Sequence, residues 1–308
     1  MRKVLFLYNP LSGGGREGRN SDVEAAASVL RSTGVKVDAV ATQGAAEAGD
    51  QARAAVPMYD VIFACGGDGT IHDILQGLAQ TTTPLGIIPL GTANTLAHDL
   101  GLPLDHVGAA RAALTAKPRR IALGRVRYSG FDGHPAERYF TVAVGVGVDA
   151  HLFYKLNALA KRHLGMAAYY WKATHLWLTY PLDHFRAEVS SRGQIRQLDV
   201  SQVLAVRIRF FGGVLRELAP GASLVRNDLR LVLFHTQSRF TYLRYILRGL
   251  LGTTWRGKGI ELANAESVHC RALSDSHRVF VEADGELIGT LPAEISILPD
   301  ALTLLSPG

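Results

Sequence analysis

At residues 64–74 the sequence reads ACGGDGTIHDI, placing Asp68 among glycines where an apolar run gives way to a helical pattern. Glycines before a helix start let backbone N–H groups converge on an anion, and the helix dipole favours negative charge there. A carboxylate at that point is a hard oxygen ligand for Mg2+ and its waters beside a polyphosphate, and Thr70 would add a hydroxyl and its N–H. The plainer alternative is a tight turn in which Asp68 caps the following helix. Two more stretches have the same character. NPLSGGGREG, residues 9–18, follows an apolar run, and PLGTANTLAHDLGLP, residues 89–103, carries Thr92 and Asn94 at positions suited to hydrogen-bonding phosphate, ribose or base. Three such loops at one edge of one sheet are hard to produce by accident.

Gly13, Gly15 and Gly18 satisfy G-x-G-x-x-G, with Asp38 twenty residues beyond Gly18. That spacing matches a dinucleotide fingerprint. Asp38, however, falls inside a strand pattern rather than at its end, and Asn9-Pro10 delays the glycines past the tight turn that motif needs. No Gly-Lys-Ser/Thr follows to make a Walker loop. What survives is an anion-binding loop, to which Arg16 and Arg19 add neutralising charge or merely a solvated pair.

The elements that must position these loops read as βαβ units. Strands are expected over 4–8, 35–42, 61–64 and 85–89, and helices over 21–32, 45–56, 71–79 and 94–100. The third strand is nearly all apolar, as in a sheet covered on both faces. An open parallel α/β sheet gathers its ligands at the carboxyl ends of its strands. Past residue 120 the texture turns to strands, expected over 121–128, 139–144, 185–190, 202–210, 229–235, 278–283 and 294–298. Helices are expected over 152–180 and 240–251. The organisation is an α/β domain over 1–124 and a mainly antiparallel β domain over 125–308, whose last strand can return to the first domain.

Composition narrows the classes. With 308 residues, 47% of them hydrophobic, the chain fills two cores. Its 32 glycines cluster at junctions, so they are positional. The start, with five apolar residues after Met1-Arg2-Lys3, is too short for a signal h-region of roughly 7–15 residues, so no cleavage is expected. No apolar run approaches the roughly 18 residues that span a bilayer. Cys65 and Cys270 fit neither a disulfide framework nor a thiolate metal site, and the 11 histidines show no ligand spacing. A net charge of +6 suits nucleic acid, an anionic membrane surface or a polyphosphate. The first lacks any recognition-helix, zinc-finger or RRM-like pattern, so no nucleic-acid partner is expected.

The set NPLSGGG, GGDGTIHDILQGLA, GTANTLAHDLGLP, VGVGVDA (144–150) and VEADGEL (281–287), in that order along nearly the whole chain, resembles the diacylglycerol kinase catalytic-domain family. That family includes sphingosine and ceramide kinases and bacterial lipid kinases. The resemblance implies a nucleotide-binding α/β domain, a β-sandwich domain, and a cleft between them where ATP meets a lipid hydroxyl. It implies that Asn9, Pro10, Leu11, Ser12, Gly13, Thr42, Gly66, Gly67, Asp68, Gly69, Thr70, Ile71, His72 and Thr92 line the ATP site. Asp68 would organise Mg2+, and Glu286 would be the general base with Asp284 its close rival. From the residues alone, Ala283-Asp284-Gly285-Glu286 reads first as an ordinary hairpin turn, although a weakly nucleophilic alcohol does need a carboxylate within reach.

Departures from the family pattern bear on the metal. His72 stands where many members have Asn, Thr95 where many bacterial members have Asp, and Ala122 in place of a frequent Asp, so Asp68 works with fewer acidic helpers. Val225-Arg226-Asn227 replaces the Asp-Asp-Gly at which some bacterial members bind a structural Mg2+, leaving Asp228 at best a displaced ligand. For the lipid, Phe240, Leu243, Leu247 and Leu250 fall at helical spacing with Arg239, Arg244 and Arg248 nearby. Either they form an interfacial helix or a core-facing stripe with a solvated rim. Residues 167–180, rich in Tyr and Trp, line an acyl pocket or pack the β domain. The expectation is an ATP- and Mg2+-dependent lipid kinase acting on a lipid such as diacylglycerol or a sphingoid base. It would work in the cytoplasm at the inner membrane surface, with a homodimer compatible. The alternatives are an NAD-kinase-like kinase of a soluble substrate, and a non-catalytic lipid-binding protein that keeps a degenerate kinase fold.

Overall fold

The computed structural model describes residues 1–10, 19–147, 182–211, 218–251, 258–274 and 278–307. The expected helix over 152–180, with its aromatic stretch 167–180, lies outside the described residues, as do Leu11, Ser12, Gly13 and Arg16. The chain forms two compact units. One holds Met1–Leu123 and Leu298–Gly308 with a short insertion beginning at Phe210, and the other holds most of the remainder.

In the first unit, β1 (Lys3–Tyr8), β2 (Lys36–Ala41), β3 (Val61–Gly66) and β4 (Leu85–Pro89) alternate with α1 (Arg19–Arg31), α2 (Ala45–Ala55) and α3 (Asp68–Leu78). The strands are parallel in the order β2-β1-β3-β4, so the sequence order reverses beside β1. Such a reversal is where open α/β sheets bind ligands. Val4, Phe6 and Phe63 face one way and pack with Val23, Ala26, Ala27 and Leu30 of α1 and Ala109, Ala110 and Ala113 of a further helix, α5 (His106–Thr115). Leu5, Leu7 and Ile62 point to the other face, as strand alternation requires, and are equally buried. Each buried side chain of this size contributes roughly 1.5–3 kcal/mol. α2 and α3 cross so closely that a Cβ on Gly77 would collide with the Gly49 carbonyl. A short helix, α4 (Thr95–Asp99), follows β4.

The second unit is a β-sandwich. β5 (Lys117–Ser129) enters it and pairs with β6 (Pro135–Phe140). β7 (Ala143–Gly147) and β10 (Gln202–Val206) pair antiparallel, and β10 pairs with β11 (Leu229–Phe234). Beside β7 runs β14 (Phe280–Ala283), which pairs with β15 (Glu286–Ser306). β8 (Phe185–Ser191), β9 (Gln194–Val200), β12 (Ile260–Ala265) and β13 (Ser267–Ala272) complete it. Val144, Val146, Phe185, Val203, Leu231 and Val281 share one core. The end of β15 belongs to the first unit, where Leu304 pairs with Leu85.

Three differences from the sequence expectation have physical causes. The strand expected over 139–144 is broken at Thr141 and Val142, whose N–H groups turn onto the Asp284 carboxylate. α5, β9, β12 and β13 fall outside the expected elements; β9 is exposed along most of its length and β12 partly so, and neither shows a clean apolar alternation. The stripe on α6 (Arg239–Leu251) does not face the core at its described positions. Phe240 is 82% exposed and Leu243 40%, while Tyr242 and Tyr245 are buried.

Candidate active site

The carboxyl ends of β1, β2, β3 and β4 bring four loops to one edge of the parallel sheet. Asn9 and Pro10 follow β1, and the Thr42 N–H after β2 donates to the Tyr8 carbonyl at 2.9 Å. Gly66 ends β3, Gly67 is the N-cap of α3, and Asp68, Gly69, Thr70, Ile71 and His72 form the helix's opening. The Leu90 N–H donates to the Gly66 carbonyl at 2.8 Å, tying the loop after β4 to the loop after β3.

Glycine is required where these two loops meet. A Cβ on Gly67 would sit 3.2 Å from the Gly91 Cα, and a Cβ on Gly91 would collide with the Gly67 Cα. Backbone rides on backbone, and no side chain stands between the two turns. Thr70, only 6% exposed, packs where a Cβ on Gly66 would be. Asn94, at φ 48°, holds the second loop: its Oδ1 accepts from the Gly91 N–H and its Nδ2 donates to the Gly91 carbonyl, both at 3.0 Å. That gives the Asn94 amide a loop-closing task. Thr92 is exposed at the loop's tip. Gly91→Ala should therefore push the turns apart, costing about 1–3 kcal/mol and weakening ATP affinity more than it lowers the melting temperature of the second unit. Calorimetric titration with ATP beside a thermal melt checks this; unchanged affinity would remove the loop contact from nucleotide binding.

Asp68 is not the cap of α3, a place held by Gly67 without a side-chain cap bond. Its carboxylate reaches across to α4: Oδ2 accepts from the Thr95 hydroxyl and Oδ1 from the Leu96 N–H, both at 3.4 Å. The Thr95 hydroxyl thus steadies Asp68. His72 is buried at 1% exposure, one turn into the helix. Asp38 lies mid-strand opposite Leu5, accepting from the Tyr59 hydroxyl at 2.9 Å and pairing with Lys3 at 3.5 Å, so it faces no ribose.

A Mg2+ ion keeps several waters and needs one or two carboxylates besides phosphate oxygens. Among the described residues no three His, Cys, Asp or Glu side chains gather. A lone Asp68 beside a glycine-walled anion loop fits a metal held mostly by phosphate and water. Cys65 and Cys270 are buried, which pushes both thiols up, so neither is a nucleophile.

In the second unit Asp284 (φ 48°) and Gly285 (φ 85°) make the two-residue turn between β14 and β15. Positive φ at both positions is the hairpin geometry that Asp-Gly favours. Asp284 does more than turn. Its Oδ1 accepts from the Val142 and Ala143 N–H groups at 2.9 and 3.0 Å, and its Oδ2 from the Thr141 N–H at 3.0 Å and the Thr141 hydroxyl at 3.4 Å. Glu282, 4% exposed, closes the turn from the other side by accepting the Gly285 N–H at 3.0 Å. Glu286 is partly exposed and is held by Arg138, whose Nη1 lies 3.1 Å from Oε2. Arg138 carried no sequence signal, because its partner lies far along the chain. A groove of about 620 Å3 in this unit, lined among others by Arg127, Glu188, His269 and Glu294, contains neither Asp284 nor Glu286.

At residues 224–228 main-chain carbonyls gather around a buried arginine. Arg207, with 0% exposure, donates from Nη1 to the carbonyls of Arg226 and Asp228 at 2.7 and 3.0 Å, and from Nη2 to that of Leu224 at 3.0 Å. Burial pulls its pKa down to about 10, well above neutrality, so it is a cation. Three carbonyls therefore converge on a guanidinium, and the Asp228 carboxylate is spent on Arg226, Nε donating at 2.6 Å.

The chain is similar to known proteins along nearly its whole length. Residues 3–126 match the diacylglycerol kinase catalytic domain, and residues 142–306 match the YegS C-terminal NAD kinase beta sandwich-like domain. A diacylglycerol kinase of Mycobacterium tuberculosis is 31% identical over 308 residues, covering 99% of this chain and 95% of that protein. One from Bacillus subtilis is 28% identical, covering 96% and 93%. The crystal structure of a diacylglycerol kinase from Bacillus anthracis superimposes with a TM-score of 0.71 at 18% identity, over 99% of this chain and 97% of that one. Yeast NADH kinase shares the fold more distantly, with a TM-score of 0.51 at 12% identity, over 100% and 84%. With glycine-walled loops at the edge of a parallel sheet, an Asp-Gly-Glu hairpin in a β-sandwich, and relatives matching from end to end, the chain belongs to the diacylglycerol kinase family of lipid kinases.

Proposed function

We propose that this chain transfers the γ-phosphoryl group of ATP, with Mg2+, to a hydroxyl of a lipid such as diacylglycerol or a sphingoid base presented at a membrane surface on the cytoplasmic side. The observation that carries the reading is the Gly67–Gly91 contact, which sets Asp68 and the start of α3 beside a second glycine turn with no side chain between them. When bound, Mg2+ and ATP supply the phosphoryl group and neutralise its charge. The chain's own residues then have distinct tasks. The loops of Asn9, Gly66 to Thr70 and Thr92 cradle phosphates with backbone N–H groups, helped by the positive end of α3, and Thr42 lines the same site by its side chain. Ser12, Gly13 and His72 belong to the same proposed site. Asp68 orients the metal's waters, and Thr95 and Leu96 fix its rotamer.

Glu286 takes the proton. The lipid oxygen bonds to the γ-phosphorus as the bond to the departing ADP oxygen breaks, and the hydroxyl proton passes to the Glu286 carboxylate, which Arg138 holds in place. Asp284 is the poorer base on this geometry, because four donors already point at its two oxygens. Its task is to pin the turn between β6 and β7 against the hairpin that carries Glu286.

Incubation with γ-labelled ATP, Mg2+ and mixed lipids should move label into an organic-phase product, identified by lipidomics of that phase. Label appearing in NAD instead would assign a soluble substrate. ATP binding with no labelled lipid from a broad panel, under any metal condition, would favour the non-catalytic reading and end this one.

A further inference from the structure

We infer that the outer face of α6 is the surface by which this protein docks on an anionic bilayer, with Phe240 and Leu243 entering the acyl boundary and Arg244 among the headgroups. The inference rests on the lipid-kinase reading above and specifies where the lipid phase is met. α6 has two faces with different chemistry. Inward, Tyr242 stacks on Phe234 with ring centroids 4.4 Å apart and planes 9° from parallel, and Tyr245 meets the same ring edge-on at 4.9 Å. Both hydroxyls are used: Tyr242 shares a hydrogen bond with the Ser201 Oγ at 2.8 Å, and Tyr245 donates to the Leu218 carbonyl at 3.1 Å. This fixes the helix's rotation.

The rotation turns Phe240, Leu243 and Arg244 outward, at i, i+3 and i+4 on one face. Phe240 is 82% exposed and Leu243 40%, and Arg244 is exposed too. Scattered exposed apolar residues are ordinary. An aromatic and a leucine side by side, flanked by arginine on a helix, have the composition of an interfacial helix lying in the headgroup plane. Charge selects the partner. α6 carries three arginines and no acidic residue in RFTYLRYILRGLL, and the whole chain carries +6. A surface of anionic phospholipid complements both Arg244 and the apolar pair, whereas a second copy of this cationic chain would set like charges together. Among the described residues no helix is long and apolar enough to cross a membrane.

The test is co-sedimentation of the protein, without nucleotide, with vesicles of phosphatidylcholine alone or containing phosphatidylglycerol. Wild type should bind the anionic vesicles and not the neutral ones. Phe240→Ser with Leu243→Ser should weaken that binding by about tenfold or more. Arg244→Glu should weaken it by about fivefold or more, an effect that high salt erases. Both variants should phosphorylate short-chain diacylglycerol in nonionic micelles as wild type does, since the catalytic and nucleotide residues are untouched. Wild-type indifference to anionic vesicles, or variants that bind like wild type, would overturn the docking surface whatever the enzyme phosphorylates. Sedimentation velocity supplies the other arm: a wild-type dimer that the double variant splits would assign this face to a second copy and overturn it as well. A wild type that binds vesicles yet labels no lipid in micelles would sink the kinase reading alone and leave the surface standing.

Discussion

Glu286→Gln is expected to lower the rate of phosphoryl transfer to lipid by about 10²- to 10⁴-fold while leaving ATP affinity and stability near wild type. The amide keeps the shape of the side chain and an oxygen that still accepts from Arg138, so the hairpin is undisturbed. Only the ability to receive the substrate's proton is lost. Asp284→Asn separates the two acids. Both Asp284 oxygens accept backbone N–H groups, so the substituted NH2 must face at least one donor. That leaves a donor unmatched, at a cost of about 1–3 kcal/mol, and loosens the turn at Thr141. The expected signature is lower stability together with lower kcat, against a pure kcat loss for Glu286→Gln. Urea unfolding and steady-state kinetics on both variants decide the matter. If Asp284→Asn keeps full stability and loses only turnover while Glu286→Gln stays active, the two roles exchange. Asp68→Ala should also abolish transfer, with ATP affinity becoming insensitive to Mg2+.

The parallel sheet was legible because its signals are local. β1, β3 and β4 are short apolar runs, and each strand of the parallel sheet β1–β4 is followed within a few residues by glycine and then a helical pattern, so the alternation fixes both class and edge. GGDGT and GTANT were visible for the same reason. Their mutual contact was not. Gly67 and Gly91 are distant in sequence, and nothing in either motif says that the two turns touch without an intervening side chain. The bond from Thr95 to Asp68 is of the same kind. Thr95 looked like a lost acid, yet its hydroxyl reaches the carboxylate that the acid's neighbours would have supported.

In the second unit sequence periodicity served less well. β7 is buried at every position, whereas β6 is exposed or partly exposed until Phe140, so an apolar run starting at Tyr139 hid the turn between them. The break is made by an acid far along the chain, Asp284, and no local rule announces it. On α6 the periodicity left two directions open, an interfacial face and a core-facing one. Phe240 and Leu243 share a helical face, but the buried face is that of Tyr242 and Tyr245, because tyrosine brings ring area to stack on Phe234 and a hydroxyl that finds a partner at the core's margin.

Arg207 gave the least warning of all, sitting in QVLAVRIRF where a charged residue reads as the solvent side of a strand. Arg207→Met is expected to destabilise the second unit by about 3 kcal/mol or more, since three buried carbonyls lose charge-assisted donors and each unsatisfied group costs roughly 1–3 kcal/mol. Against a net stability on the order of 5–15 kcal/mol, that is a large fraction. Methionine matches the length of the stem, so the loss reports the guanidinium and the space it fills. Arg207→Lys should recover part of it, because an ammonium keeps the charge but cannot spread its donors over carbonyls of Leu224, Arg226 and Asp228 as a planar fork does. Urea titration should show a lower midpoint with an unchanged slope in both variants, methionine below lysine. A midpoint for Arg207→Met within error of wild type would mean that water satisfies the three carbonyls, and the guanidinium would then lose its place as the loop's cation. The expected result instead ties this loop to the hairpin. The Arg207 N–H donates to the Val142 carbonyl at 2.9 Å, and the Val142 N–H donates to Asp284. A loop held by an internal cation therefore shares main-chain support with the turn that carries Glu286, and the methionine variant should lose turnover as well as stability.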